Sequence, residues 1–321
     1  MANNFWKGRR VLVTGGSGFI GFALARHLLT KAANVSILDI KPLPSYATAA
    51  ERSAFSFVRG SVTSQETVRS LIKRRRIKTI FHLAAEAIVD RALEAPAQTL
   101  DANVRGTWVI LESHRACPSI EEIIVASSDH VYGSHTKPPY TERSPLVGES
   151  PYDVSKSCAD LIAQMYAKTC GVPVAIARCG NVYGPGDLNW SRLIPDALRS
   201  HARGTPLRLR SSGHLSRDYV YIDDIIDAYS ALAQNVHAKK LSGEAFNFGT
   251  GKPLAALDVL GRLGTVLGER VQFSIANTAR HEIRALFLDS SKARRALSWR
   301  PKLARDEGFR RTCAWYGDFL K

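Results

Sequence analysis

Residues 10–14, RVLVT, form a short β-branched and aliphatic run that ends directly in the turn GGSGFIG, residues 15–21. Behind it, FIGFALARHLLTKA places apolar residues at helical spacing. A glycine turn between a buried strand and a helix leaves the chain few ways to fold. Without Cβ atoms at Gly15, Gly18 and Gly21, the backbone can turn tightly and the helix can lie close to the strand. The helix then starts over the end of the strand, with Phe19 and Ile20 in its first turn and unpaired N–H groups facing outward. Such an N-terminus stabilises a pyrophosphate through those donors and the helix dipole. Asp39 ends the next apolar run, 18 residues after Gly21. A carboxylate there accepts hydrogen bonds from ribose hydroxyls and repels a 2′-phosphate, which favours NAD over NADP. Lys41 nearby works in the opposite sense. The ordinary alternative is a tight turn that holds no ligand.

The same alternation continues. VSILDI, FSFVRG, TIFHLAA, IEEIIVASS and VPVAIARCG are short apolar runs separated by helical stretches, among them Val104–Cys117 and Tyr152–Cys170. This pattern predicts an α/β protein with a doubly wound, Rossmann-type parallel sheet. From Gly184 on, short strands and helices follow without regular order, which predicts a smaller α+β substrate-binding lobe. Residues 1–183, with a return segment at about 218–248, are expected to form the cofactor domain, and 184–217 and 249–321 the lobe.

No apolar run is long enough to span a membrane, and none precedes a cleavage site near the N-terminus. The five cysteines are scattered, so neither a disulfide frame nor a metal site is expected. These features point to a cytoplasmic protein. The net charge of +15 favours an anionic partner. Its densest run, Lys73-Arg74-Arg75-Arg76, falls where a helix should end, and cations there complement the dipole. Arg208-Leu209-Arg210 alternates as a strand does. Neither run comes with an aromatic platform, so a nucleic-acid partner is not expected.

Tyr152 and Lys156 are four residues apart in a predicted helix and share a face. A phenol with a pKa near 10 is a poor base, but a neighbouring ammonium and a nicotinium charge favour the phenolate. It would then take the proton of a sugar hydroxyl while a hydride leaves for the cofactor. Alone, the spacing is also that of any amphipathic pair. Just upstream, Ser127-Ser128-Asp129-His130 follows the apolar strand IIVA, where an open α/β sheet places its ligand crevice. Ser128 can share a hydrogen bond with the substrate hydroxyl, and Asp129 and His130 add an acid and a base. A purely structural hydrogen bond is the alternative role for His130.

With TGGSGFIG, HLAA (82–85), Asn103, SSDHVYG, YDVSK, RCGNVYGP (178–185), SRDYVYIDD (216–224) and the terminal WRPKL in order, the chain resembles the extended short-chain dehydrogenase/reductases of the NAD-dependent epimerase/dehydratase family. The resemblance spans nearly the whole chain. It implies NAD as cofactor, transient oxidation at C4 of a nucleotide-diphosphate sugar, and Ser128, Tyr152 and Lys156 as the catalytic trio. It adds Leu83, Ala84, Ala85 and Asn103 to the cofactor site. Asn181, Arg192 and Arg217 are implied on the substrate's nucleotide end, with Arg280 and Glu282 closing on it. Ser61 stands where many relatives place an aspartate that contacts adenine.

Asp129 and His130 occupy the positions at which 4,6-dehydratases carry an acid and a base, whereas simple 4-epimerases carry small residues there. A 4,6-dehydratase giving a 4-keto-6-deoxy sugar nucleotide is therefore the first reading, and a 4-epimerase the alternative. A non-catalytic NAD-binding or nucleic-acid-associated protein is a remote third. The family also implies a homodimer, with Val154, Leu161, Ile162 and Met165 as apolar surface. Core packing against the sheet is the other use of those side chains.

Overall fold

The computed structural model describes residues 4–134, 137–278 and 283–321. Its centre is a parallel sheet of seven strands: β1 (Arg10–Thr14), β2 (Asn34–Asp39), β3 (Ser56–Arg59), β4 (Thr79–His82), β5 (Glu122–Ser128), β6 (Val174–Cys179) and β7 (Ala245–Phe248). Their order across the sheet is β7-β6-β5-β4-β1-β2-β3. Helices α1 (Phe19–Thr30), α2 (Gln65–Arg75), α3 (Gly106–Ala116), α4 (Pro151–Cys170), α5 (Leu193–Ala202), α6 (Ile222–Asn235), α7 (Ala256–Leu267) and α8 (Arg305–Phe319) complete the main elements.

Both faces of the strands are apolar because both are covered. Val11, Val13, Ile37 and Phe81 pack with Phe22, Leu24 and Leu28 of α1 and with Ile225, Tyr229 and Leu232 of α6. The alternate residues Leu12, Leu38, Ile80 and Ile123 pack with Leu71 and Ile72 of α2, Ile110 and Leu111 of α3, and Ala163 of α4. The doubly wound fold predicted from the alternation is what forms.

The chain leaves β1 toward β2 and β3, then crosses to β4 on the other side. The carboxyl ends of β1 and β4 therefore flank the switch point, where such sheets bind ligands. Helix α4 begins with Pro151 behind a reciprocal cap between Ser150 and Asp153. The basic run ends α2, and Arg76 takes a left-handed conformation (φ 49°) as the chain turns to β4.

Beyond β6 the strands are short. Asn181–Tyr183 pairs with Tyr219–Tyr221, Leu207–Leu209 with Phe273–Ile275, and Ser216–Arg217 with both Leu254–Ala255 and Ala285–Leu286. The YVY segment thus joins a separate two-stranded pair. The following α6 and β7 return to the large sheet.

Candidate active site

The glycine turn is built for close approach. Gly15 has φ 70°, and a Cβ there would lie 2.6 Å from the backbone nitrogen of Ala84 and 2.8 Å from the carbonyl carbon of Leu83. A Cβ on Gly21 would lie 2.2 Å from the Gly15 carbonyl oxygen. Gly18 caps α1 without a side-chain hydrogen bond, and the first turn, with Phe19 and Ile20, holds no acidic residue. Its N–H groups fit an anion. Asp39 leans over this turn: its Oδ2 accepts from the Ser17 amide at 2.9 Å and its Oδ1 from the Lys41 amide at 2.9 Å. Leu83 and Ala84 leave β4 directly beside Gly15, and Ala85 follows them. This cradle, which side chains would fill, fits the pyrophosphate and ribose of NAD.

Asn103 is 2 % exposed and spends its amide on the protein. Its Oδ1 accepts from the Glu86 amide, and its Nδ2 donates to the Glu86 carbonyl and to Ser155 Oγ at 2.8 Å. It braces the segment after β4 against α4. His82 has a related structural part, held between Thr14 and Thr107, and burial pushes its pKa down to about 3.

Strand β5 and helix α4 bring the three residues of the expected catalytic trio together. Ser128 ends β5, and Tyr152 and Lys156 lie one turn apart on α4; all three are buried. Lys156 donates from Nζ to the Ala126 carbonyl at 2.9 Å, and burial lowers its pKa to about 8. The sequence predicts that the lysine and a nicotinium charge together favour the Tyr152 phenolate. Burial by itself pushes Tyr152 up to about 12, with a hydrogen bond to Ser128 opposing the shift. The Lys156 Nζ is thus held on the β5 backbone one helical turn from the tyrosine.

Asp129 is buried behind Ser128. Its Oδ1 accepts from Ser128 Oγ at 3.1 Å, while Oδ2 is buried with no partner among the described residues. Burial pushes this carboxyl up to about 6, opposed by the charge of His130. The His130 ring meets the Tyr152 ring edge-on at 5.7 Å between centroids. Its Nδ1 lies 3.0 Å from Asp153 Oδ1. Burial alone would lower the imidazole pKa, but the Asp153 hydrogen bond and the charges of Asp129 and Asp153 outweigh it and raise it.

Two of the predicted substrate arginines send charge into this group. Arg217, which donates to the carbonyls of Ser216 and Ile283, acts on Asp129 and His130. Arg192 acts on Tyr152 and pairs with Asp187 at 3.0 Å. Asn181 is part-buried at the start of its strand and donates its amide N–H to the Asp218 carbonyl. Arg280 and Glu282 lie outside the described residues. Among the described residues, no cluster of side chains could hold a metal ion.

Sequence reasoning missed two partners. Asp153 reads as a helix-capping residue, and nothing in the chain order signals that it meets His130. Asp160 accepts two bonds from Arg178, both at 2.8 Å, and one from Ser127 at 2.9 Å, which ties α4 to β5 and β6 behind the site.

Residues 11–249 match the model of the NAD dependent epimerase/dehydratase family. The chain belongs to that family. Among its curated relatives is the dTDP-glucose 4,6-dehydratase of Neisseria meningitidis serogroup B, 29 % identical over 97 % of this chain and 94 % of that protein. Another is dTDP-glucose 4,6-dehydratase 1 of Escherichia coli K12, 28 % identical over 96 % of this chain and 92 % of that protein. Among solved structures, DesIV of Streptomyces venezuelae, a dTDP-glucose 4,6-dehydratase with NAD bound, superposes with a TM-score of 0.87 at 31 % identity, covering 96 % of this chain and 97 % of that one. The UDP-glucose 4-epimerase of Thermotoga maritima gives a TM-score of 0.88 at 26 % identity, covering 97 % and 99 %. As a family member the chain is an NAD-dependent enzyme, and the glycine cradle and Asp39 are the residues that suit that cofactor. No helix among the described residues is long and apolar enough to cross a membrane.

Proposed function

We propose that the protein is a nucleotide-sugar 4,6-dehydratase. The observation that carries this reading is Asp129: a buried carboxyl with a raised pKa and an unpartnered oxygen, next to His130 and behind Ser128. A 4-epimerase has no use for such an acid, whereas loss of a hydroxyl from C6 needs one.

NAD, when bound, would supply a hydride acceptor for sugar C4 and, once water has left, a hydride donor for C6. Around that exchange the side chains move protons. Tyr152, as phenolate, takes the proton of the C4 hydroxyl, and Ser128 Oγ hydrogen-bonds the same oxygen. Lys156 supplies positive charge behind the tyrosine. His130 takes the C5 proton, which the C4 ketone has made acidic. Asp129 gives its proton to the C6 oxygen, the C6–O bond breaks, and water leaves. His130 then returns its proton to C5. The pair holds one proton in total at the start of elimination, so activity needs Asp129 protonated and His130 neutral together. Arg192, Arg217 and Asn181 would hold the diphosphate end, as would Arg280 and Glu282 outside the described residues; a guanidinium fork matches phosphate oxygens. Residues 1–183 with 218–248 would carry NAD, and 184–217 with 249–321 the sugar nucleotide.

We also propose that a second copy covers Leu161 and Met165 of α4, which are 54 % and 45 % exposed, with Val154 and with Leu93 and Leu100 on the neighbouring short helices. Ile162 instead packs into the core.

The test is a product screen by NMR with dTDP-, UDP-, CDP- and GDP-hexoses in the presence of NAD. A 4-keto-6-deoxy product from one of them supports the dehydratase. A C4-inverted sugar that retains its C6 hydroxyl overturns it and establishes the epimerase.

A further inference from the structure

Three charged side chains act electrostatically on His130. Asp129 precedes it on the chain, Arg217 lies on the short strand Ser216–Arg217, and Asp153 comes from α4. Tyr152 covers it edge-on. Of these, only Asp153 bonds to the ring: Oδ1 lies 3.0 Å from Nδ1. The same carboxylate accepts through Oδ2 from the Ser150 amide at 3.2 Å, so it is fixed at both ends. Asp153 is itself buried, and though burial alone would raise its pKa, the hydrogen bonds and charge of His130 and the Ser150 cap hold it below the usual carboxylate range. An ionised carboxylate only accepts, so Nδ1 must carry the hydrogen in this bond. The lone pair of a neutral imidazole is then confined to Nε2. No hydrogen bond to Nε2 is present among the described residues.

We infer that Asp153 is a positioning residue that locks His130 with Nδ1 protonated and presents Nε2 to the substrate as a proton acceptor. The arrangement is a histidine oriented by a buried carboxylate, the logic of orienting groups in acyl-transfer sites, placed here beside a tyrosine and lysine that serve hydride chemistry. The inference rests on the dehydratase reading for the proton His130 accepts, that of C5. It supplies the reason a histidine can serve at this position: without Asp153 either ring nitrogen could hold the hydrogen, and half of the orientations would offer the substrate an N–H.

The test uses the full chain with NAD, labelled with 15N in its histidine rings. Signals are assigned to His130 with His130→Gln, and ring shifts are followed against pH in wild type, Asp153→Asn, Asp153→Glu and Ser150→Ala. The expected wild-type His130 has a protonated Nδ1 and a bare Nε2 once neutral. Asp153→Asn lowers its pKa and mixes the two tautomers, while Asp153→Glu restores the wild-type pattern. Ser150→Ala removes the cap hydroxyl but keeps the Ser150 amide on Asp153, and it changes the His130 signals far less than Asp153→Asn does. In the same samples, deuterium wash-in at sugar C5 falls on the order of 100-fold in Asp153→Asn, with KM and oxidation at C4 held. The inference is overturned if His130 keeps its tautomer and titration in Asp153→Asn, or if Ser150→Ala shifts them as much. If wild type itself removes no C6 oxygen from any hexose, the dehydratase reading fails instead, and the ring signals still decide what Asp153 does to His130.

Discussion

Asp129 is 1 % exposed, and its carboxyl pKa rises from 3.8 to about 6 because burial disfavours the charge. A carboxyl whose folded pKa lies above its unfolded one contributes stability that is fully present below about pH 3.8 and is lost as the pH rises through about 6. At pH 8 the ionised Asp129 therefore costs stability, by roughly 3 kcal/mol at most for a shift of this size. Asp129→Asn keeps the shape and removes the charge. Thermal unfolding should show the variant more stable than wild type at pH 8 and equal to it near pH 3.5. A variant less stable at pH 8 would mean that the carboxylate is held by favourable bonds rather than confined at a cost. The catalytic pair gives a second expectation at this scale. Because elimination needs one proton shared between Asp129 and His130, kcat for C6 dehydration should be bell-shaped in pH. Asp129→Asn should remove dehydration by at least about 100-fold, with C4 oxidation retained.

Elements rather than single residues fix where these groups meet. Strands β5 and β6 and helix α4 are joined by the buried pair Arg178–Asp160, to which Ser127 and Tyr132 also bond. Removing one partner leaves an uncompensated buried charge. Arg178→Met should lower unfolding free energy by about 3–5 kcal/mol in denaturant titration, while the double variant Arg178→Met with Asp160→Leu should recover part of the loss. The glycine turn is the other rigid joint. With a Cβ 2.2 Å from the Gly15 oxygen, Gly21→Ala must push α1 off β1. It should weaken NAD binding at least about tenfold by calorimetry and destabilise the fold by about 1–3 kcal/mol. This joint was legible in the chain, because short apolar runs alternating with helical spacing admit only a parallel sheet, and glycines at 15, 18 and 21 mark its ligand crevice. The positions of Ser128, Tyr152 and Lys156 were legible for the same reason: they stand at a strand end and on one helix face. The balance of forces among them was not. Spacing shows that Lys156 is near Tyr152, but only the packed structure shows that both are buried and that the ammonium bonds the β5 backbone. The partnership of His130 with Asp153 joins residues 23 apart through a fold that brings a turn after β5 onto the start of α4. Local pattern explains Asp153 fully as a cap of α4, and its contact with His130 exists only in the folded chain.

On the scale of the molecule, two surfaces carry the account. The charges of Arg192 and Arg217 act on Tyr152, Asp129 and His130, so part of the +15 net charge lies beside the proposed site of an anionic sugar nucleotide. On the outside, Leu161 and Met165 are bare on α4. Leu161→Glu with Met165→Glu should convert a dimer to a monomer in sedimentation velocity without changing NAD affinity. The central claim concerns what leaves the cleft, and it is tested most directly by the mass of the product. Wild-type enzyme with NAD and its preferred nucleotide hexose is predicted to give a product lighter by one water, with deuterium at C5 when the reaction is run in heavy water. A product of unchanged mass, with no deuterium at C5, would contradict the assignment and leave a 4-epimerase in its place.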